Sequence, residues 1–259
     1  MDSMRSRILI TTTPLWLAAL TLCSGCPVWQ DQNVPVPAEQ HAEPVTGADY
    51  WVYVPKDYPD DRRWPLVVTL HGTVPWDTYT REINEWKRLA EDKGFVVVAP
   101  SLKSPQGILP VIPRLWFEDL ERDERVVLAT IDEVCRRHPA VDRSCVLLHG
   151  FSAGGYPLLF VGLRNPDRFN MLIGRGINSD PRLLERIERT DEAREMPVVL
   201  LWGRDDTPLI RKQCWFAYTY LRERGFHNTE YETFPGAHLR RPDLAYEHWT
   251  EVLPAAYRR

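Results

Sequence analysis

Three short stretches of this 259-residue chain carry side chains whose types and order suit nucleophilic chemistry. The first is Gly150-Phe151-Ser152-Ala153-Gly154, a G-x-S-x-G pattern between the apolar run 146–149 and a second apolar segment, 157–162. Read as strand, turn and helix, it makes the chain reverse almost on the spot. That turn forces Ser152 into a strained backbone region, and Gly150 and Gly154 leave room because they lack a Cβ. It also lifts the hydroxyl off the sheet and points the first helical N–H groups towards it, a natural anion site. A serine hydroxyl is a weak nucleophile near neutral pH and needs a base, which a third group must orient. Both types follow downstream. Leu200-Leu201-Trp202-Gly203-Arg204-Asp205-Asp206 reads as a strand running into a loop with two carboxylates, and Phe234-Pro235-Gly236-Ala237-His238 as a strand end, a turn and a histidine.

The remaining histidines have plainer readings. His71 supports the loop before Gly72, and His149 lies inside a strand. His41 falls in a polar leader, and His138, His227 and His248 sit where solvated residues are usual. No Cys/His spacing resembles a zinc site, so no metal is expected.

These residues need a scaffold that places strand ends side by side. Strands are predicted over 50–54, 66–70, 95–99, 145–149, 171–173, 198–202 and 230–234 from short apolar or β-branched runs bounded by turn residues. Helices are predicted between them. Ile83, Trp86, Leu89 and Ala90 recur at helical spacing up to Gly94, a natural stop, and further helices cover 118–138, 181–189, 210–224 and 243–252. Regular alternation of this kind implies an α/β fold: a mostly parallel sheet with helices on both faces. Residues 101–113, with three prolines and a glycine, read as loop, and 107–117 as a small lid or pocket wall. Trp76 and Trp116 are expected on loops near strand ends, as pocket walls. Core packing is the competing explanation for each in a chain with ten tryptophans.

Hydrophobic residues at 44% and charged residues at 26% are ordinary for a globular domain, and a net charge of −4 carries no basic footprint for nucleic acid. Arg5 and Arg7 precede an apolar stretch, 8–22, that is too short and too interrupted to span a bilayer. It ends in Leu22-Cys23-Ser24-Gly25-Cys26, where small residues before a cysteine resemble the bacterial lipobox, with Cys23 where an aliphatic residue is usual. The reading is a lipoprotein-type signal peptide over 1–25, a Pro-rich tether over 26–48 and one folded domain over 49–259. Cys26 would carry the lipid, and the membrane would be met through that anchor only. An ordinary signal peptide is the alternative, and either way the chain is exported to the cell envelope. Export would permit a disulfide among Cys135, Cys145 and Cys214, the first two being closest in sequence.

From Tyr50 onward the chain resembles the α/β-hydrolases of the esterase branch. It is similar to polyhydroxybutyrate depolymerases and feruloyl esterases, and also to dienelactone hydrolases and prolyl-oligopeptidase-type enzymes. The resemblance rests on the order Ser152, acid, His238, on Leu70-His71-Gly72-Thr73, like the family's His-Gly segment, and on Val141-Asp142-Arg143 ahead of the elbow strand. It implies an oxyanion hole from the Thr73 and Ala153 N–H groups, and it favours Asp206 over Asp205 as the acid, three residues after Gly203. It also implies a serine ester hydrolase that acts without a cofactor on small or polymeric esters. A serine peptidase of the prolyl-oligopeptidase type and a catalytically silent binding fold are the alternatives.

Overall fold

The computed structural model describes residues 37–58, 62–105, 113–188 and 190–258. The signal peptide and Cys26 lie outside the described residues, as does most of the proline-rich 101–113 stretch. Eight strands form one sheet in the order β1 (Glu39–Ala42), β2 (Asp49–Tyr53), β4 (Val96–Pro100), β3 (Trp64–Leu70), β5 (Val141–Phe151), β6 (Met171–Arg175), β7 (Val198–Gly203), β8 (Thr229–Phe234). From β4 across to β8 all pairings are parallel; β1 and β2 add an antiparallel edge.

Helices cover both faces because residues of alternating parity in each strand face opposite ways. On one face Leu66, Val68 and Leu148 pack against Val127 and Ile131 of α2 (Pro113–Arg137), Leu158 of α3 (Gly155–Arg164) and Cys214 of α6 (Pro208–Glu223). On the other, Val67, Leu147, Ile173 and Leu201 meet Ile83 and Trp86 of α1 (Tyr79–Lys93) and Trp249 of α7 (Pro242–Val252). The Thr78 hydroxyl caps the start of α1, and Gly94, left-handed at φ 77°, ends it by donating its N–H to Ala90.

Several expectations need correction. The tether does not run to residue 48 as a free segment, because Glu39–Ala42 pairs with β2. A polar edge strand is held by backbone hydrogen bonds and needs no apolar signature. The Glu43 carboxylate closes the turn after it by accepting the N–H groups of Val45 at 2.7 Å and Thr46 at 2.8 Å. The helix predicted from residue 118 starts at Pro113, whose fixed φ suits a first turn, so Trp116 and Phe117 are helical and not loop residues, while 107–112 of the expected lid lie outside the described residues. The 181–189 helix is a single turn, α4 (Pro181–Leu184), and a second short helix, α5 (Asp191–Glu195), follows. Cys135, Cys145 and Cys214 are free buried thiols. Cys135 and Cys145 belong to the cores on opposite faces of the sheet, which stands between them.

Candidate active site

β5 ends at Phe151, and the chain turns through Ser152–Gly154 into α3. Among the described residues only Ser152, at φ 53°, holds a positive φ without being glycine. The strain persists because the neighbours leave no alternative. A Cβ on Gly150 would stand 2.6 Å from the Gly154 carbonyl oxygen, and one on Gly154 would strike the Leu70 carbonyl. From the next loop the Asn178 N–H donates to the Ser152 carbonyl at 2.8 Å, pinning the elbow from outside.

Asp206 and His238 come from the ends of β7 and β8. Their loops are joined backbone to backbone, with Arg204 N–H on the Phe234 carbonyl at 2.8 Å and Asp205 N–H on the Gly236 carbonyl at 2.9 Å. His238 Nδ1 lies 2.7 Å from Asp206 Oδ2, and the Thr207 N–H donates to the other oxygen, Oδ1, at 2.6 Å. The Asp206 side chain is 1% exposed and the His238 ring 30%, so the acid is buried behind a base that reaches solvent. The Phe151 ring, one residue before the serine, sits 4.7 Å from the His238 ring, centroid to centroid. A Cβ on Gly176 would stand 2.9 Å from His238 Nδ1 and 3.3 Å from Asp206 Oδ2, so the end of β6 closes the site from below. Ser152, Asp206 and His238 therefore sit at the carboxyl ends of three strands of one parallel array, where open α/β sheets bind ligands. This is a serine-hydrolase-type arrangement.

A thermostable esterase matches with TM-score 0.60 and 21% identity, over 83% of this chain and 62% of that one. The chain has the α/β-hydrolase fold. The fluorophosphonate-binding serine hydrolase F of Staphylococcus aureus shares that fold at TM-score 0.61 and 15% identity, over 83% of this chain and 97% of the other. In sequence, a bifunctional acetylxylan esterase/xylanase of Neocallimastix patriciarum is 31% identical over 113 residues, which is 44% of this chain and 15% of that protein. No protein-family model matches the chain.

The other expected residues are placed as follows. Asp205 is exposed and accepts the Gly236 N–H at 3.2 Å, which makes it a loop brace. Thr73 follows Gly72 in the loop after β3, and a Cβ on Gly72 would lie 3.0 Å from the Ser152 Cβ, so this loop runs against the serine. Ala153 is buried in the elbow turn. Trp76 lies on the same β3 loop as expected and is 50% exposed. Trp116 is instead on α2 and 4% exposed, packed on Phe117 and edge-on to Tyr156 at 5.0 Å, so it belongs to the core and is not an open wall. Ser179, buried nearby, donates its hydroxyl to the Gln213 carbonyl at 2.7 Å. His71 is structural. The Leu102 N–H donates to its Nε2 at 3.1 Å, so Nδ1 carries the hydrogen and donates to the Gly72 carbonyl at 2.8 Å. Burial pushes its pKa down, which keeps it neutral. Among the described residues no cluster of His, Cys, Asp or Glu could hold a metal ion.

Sequence reasoning missed a buried charged network behind the site. Arg175 donates to His149 Nε2 and to Glu85, and the Thr69 hydroxyl links His149 Nδ1, at 2.8 Å, to Glu82. Arg240 joins Glu82, Glu85 and Asp77. Three carboxyls thus face two guanidiniums in a largely buried region. Burial first, then the neighbouring Asp77 and Glu85 carboxylates, push the Glu82 pKa up to about 8, while His149 is held neutral by burial and by Arg175. The signal available was Glu82 and Glu85 lying beside Ile83 and Trp86 on the apolar face of α1, and Arg175 inside an apolar strand.

One consequence is measurable. Folded Glu82 keeps its proton up to about pH 8, whereas the unfolded chain loses it near 4.5. Between those values the folded state binds more protons, so this residue's contribution to stability falls as pH rises. Glu82→Gln is expected to flatten the decline in thermal midpoint between about pH 5 and 8. An unchanged pH dependence in the variant would show that Glu82 is ionised throughout.

Proposed function

We propose that this chain is an exported serine ester hydrolase that works through an acyl-enzyme on Ser152. The observation that carries the reading is the 2.7 Å His238–Asp206 contact beside a serine held at positive φ. Ser152 Oγ attacks the ester carbonyl while His238 Nε2 takes its proton. Asp206 keeps the proton of His238 on Nδ1 and stabilises the imidazolium that forms. The Thr73 and Ala153 N–H groups receive the developing oxyanion, a contribution of ~2.7–4 kcal/mol per donor in comparable sites. His238 then returns the proton to the leaving alcohol, and water, activated by the same imidazole, cleaves the acyl-enzyme.

The substrate is a small or polymeric ester. The local likeness to a bifunctional acetylxylan esterase/xylanase makes acetylated sugars the first esters to try. Lipidation of Cys26 would hold the enzyme at the cell envelope, through acyl chains worth ~0.8 kcal/mol per buried methylene.

The test is hydrolysis of p-nitrophenyl esters from acetate to decanoate, together with labelling by a fluorophosphonate. Turnover with a chain-length preference and labelling at Ser152 are expected. A folded protein that neither turns over nor labels would leave the silent-fold reading in its place.

A further inference from the structure

The Arg240 guanidinium touches α1, the loop after β3 and the residue before Ser152. It follows His238 by two residues. Its Nη1 donates to Glu82 Oε1 and Glu85 Oε2, both at 2.7 Å, which anchors it on α1. Its Nη2 donates to Asp77 Oδ1, and its central carbon lies 4.5 Å from the Phe151 ring centroid. Phe151 in turn rests on His238. Asp77 passes the restraint onward, because its Oδ2 accepts the Gly72 N–H at 2.5 Å and its Oδ1 accepts the Thr78 N–H at 2.9 Å.

The Gly72–Thr73 peptide, which carries the Thr73 N–H, is held at its carbonyl by His71 Nδ1 at 2.8 Å, and the peptide before it is held at its N–H by Asp77. A charge-assisted bond to a buried carboxylate is suited to that, being short and about twice as strong as a neutral one. Asp77 cannot hold position unaided in a buried site, since an unpaired buried carboxylate is costly. The planar fork of Arg240 supplies the counter-charge while reaching two further carboxyl groups, which a lysine ammonium on one flexible stem does poorly.

We propose that Asp77 and Arg240 are positioning residues of the ester-hydrolysis site: Asp77 fixes the Gly72 N–H and so, together with the His71 bond to the Gly72 carbonyl, the backbone from which the Thr73 N–H meets the developing oxyanion, and Arg240 locks that loop to the histidine loop. The inference rests on the assignment of Ser152 and His238 made above.

The test uses the full chain with Asp77→Asn and Arg240→Lys. Each variant is examined for fold by circular dichroism, for kcat and KM on the best p-nitrophenyl ester, and for affinity toward a matching trifluoromethyl ketone. Such a ketone forms a tetrahedral adduct with the serine and places an oxyanion in the hole. For the folded variants, kcat is expected to fall ~10–10²-fold with KM within about threefold, and ketone affinity to fall by the same factor as kcat. A merely structural role would move thermal stability and leave the ketone affinity relative to KM unchanged. Wild-type kcat and ketone affinity in folded Asp77→Asn, or a loss confined to KM, would overturn the proposal. If one variant does not fold, the other decides. If neither folds, the pair is a folding element and the proposal falls. An active parent with an inactive Ser152→Ala keeps the serine assignment whatever these variants do, so the two ideas fail separately.

Discussion

Ser152→Ala is expected to fold like the parent and to hydrolyse p-nitrophenyl esters more slowly by a factor on the order of 10⁴–10⁶. Folding should survive because what holds the elbow is backbone and glycine geometry. The bond from Asn178 N–H to residue 152 uses the carbonyl, and alanine meets the same strain at φ 53° as serine does. Activity should not survive, because the hydroxyl is the one atom lost and the proposed covalent intermediate would form on it. Side-by-side circular dichroism and initial rates decide the matter. Turnover unchanged in the alanine variant would sink the elbow assignment.

Asp206→Asn is expected to lower kcat by ~10⁴-fold with the fold intact, and Asp205→Asn to cost less than about threefold. The two residues are adjacent but differently placed. Asp206 is buried with both oxygens engaged, one by the Thr207 N–H and the other by His238 Nδ1. With the Thr207 N–H holding the amide oxygen of asparagine, its NH₂ would face Nδ1. The ring hydrogen would then move to Nε2, where it can no longer accept the serine proton. Asp205 is exposed and braces the Gly236 turn with a longer bond, 3.2 Å, beside a backbone bond that the substitution leaves in place. Steady-state rates of both variants on one ester check this. The reverse ranking would move the acid to Asp205.

The legible features were those that short stretches of chain enforce. The elbow follows from Gly150 and Gly154, where a side chain would collide with neighbouring backbone. The central strands announce themselves as continuous apolar runs because parallel strands are buried on both faces. Gly94 ends α1 where a left-handed residue is needed. The elements that escaped lack such a signature. Glu39–Ala42 is polar and joins the sheet through its backbone, and the apolar residues of 181–189 outlast the single helical turn they form.

The sequence by itself thus determined the α/β order of elements, the strained serine and the chain order of serine, acid and histidine. Those depend on local sterics and on a periodicity that a few residues carry. Only the tertiary structure decided which of two adjacent carboxylates meets His238, and that Cys135 and Cys145 face opposite sides of the sheet. It also decided that Arg240 gathers Asp77, Glu82 and Glu85 across more than 150 residues of chain. A charged residue reads as solvated until packing removes the water, and its partner is chosen by whichever distant loop the sheet brings within hydrogen-bond reach.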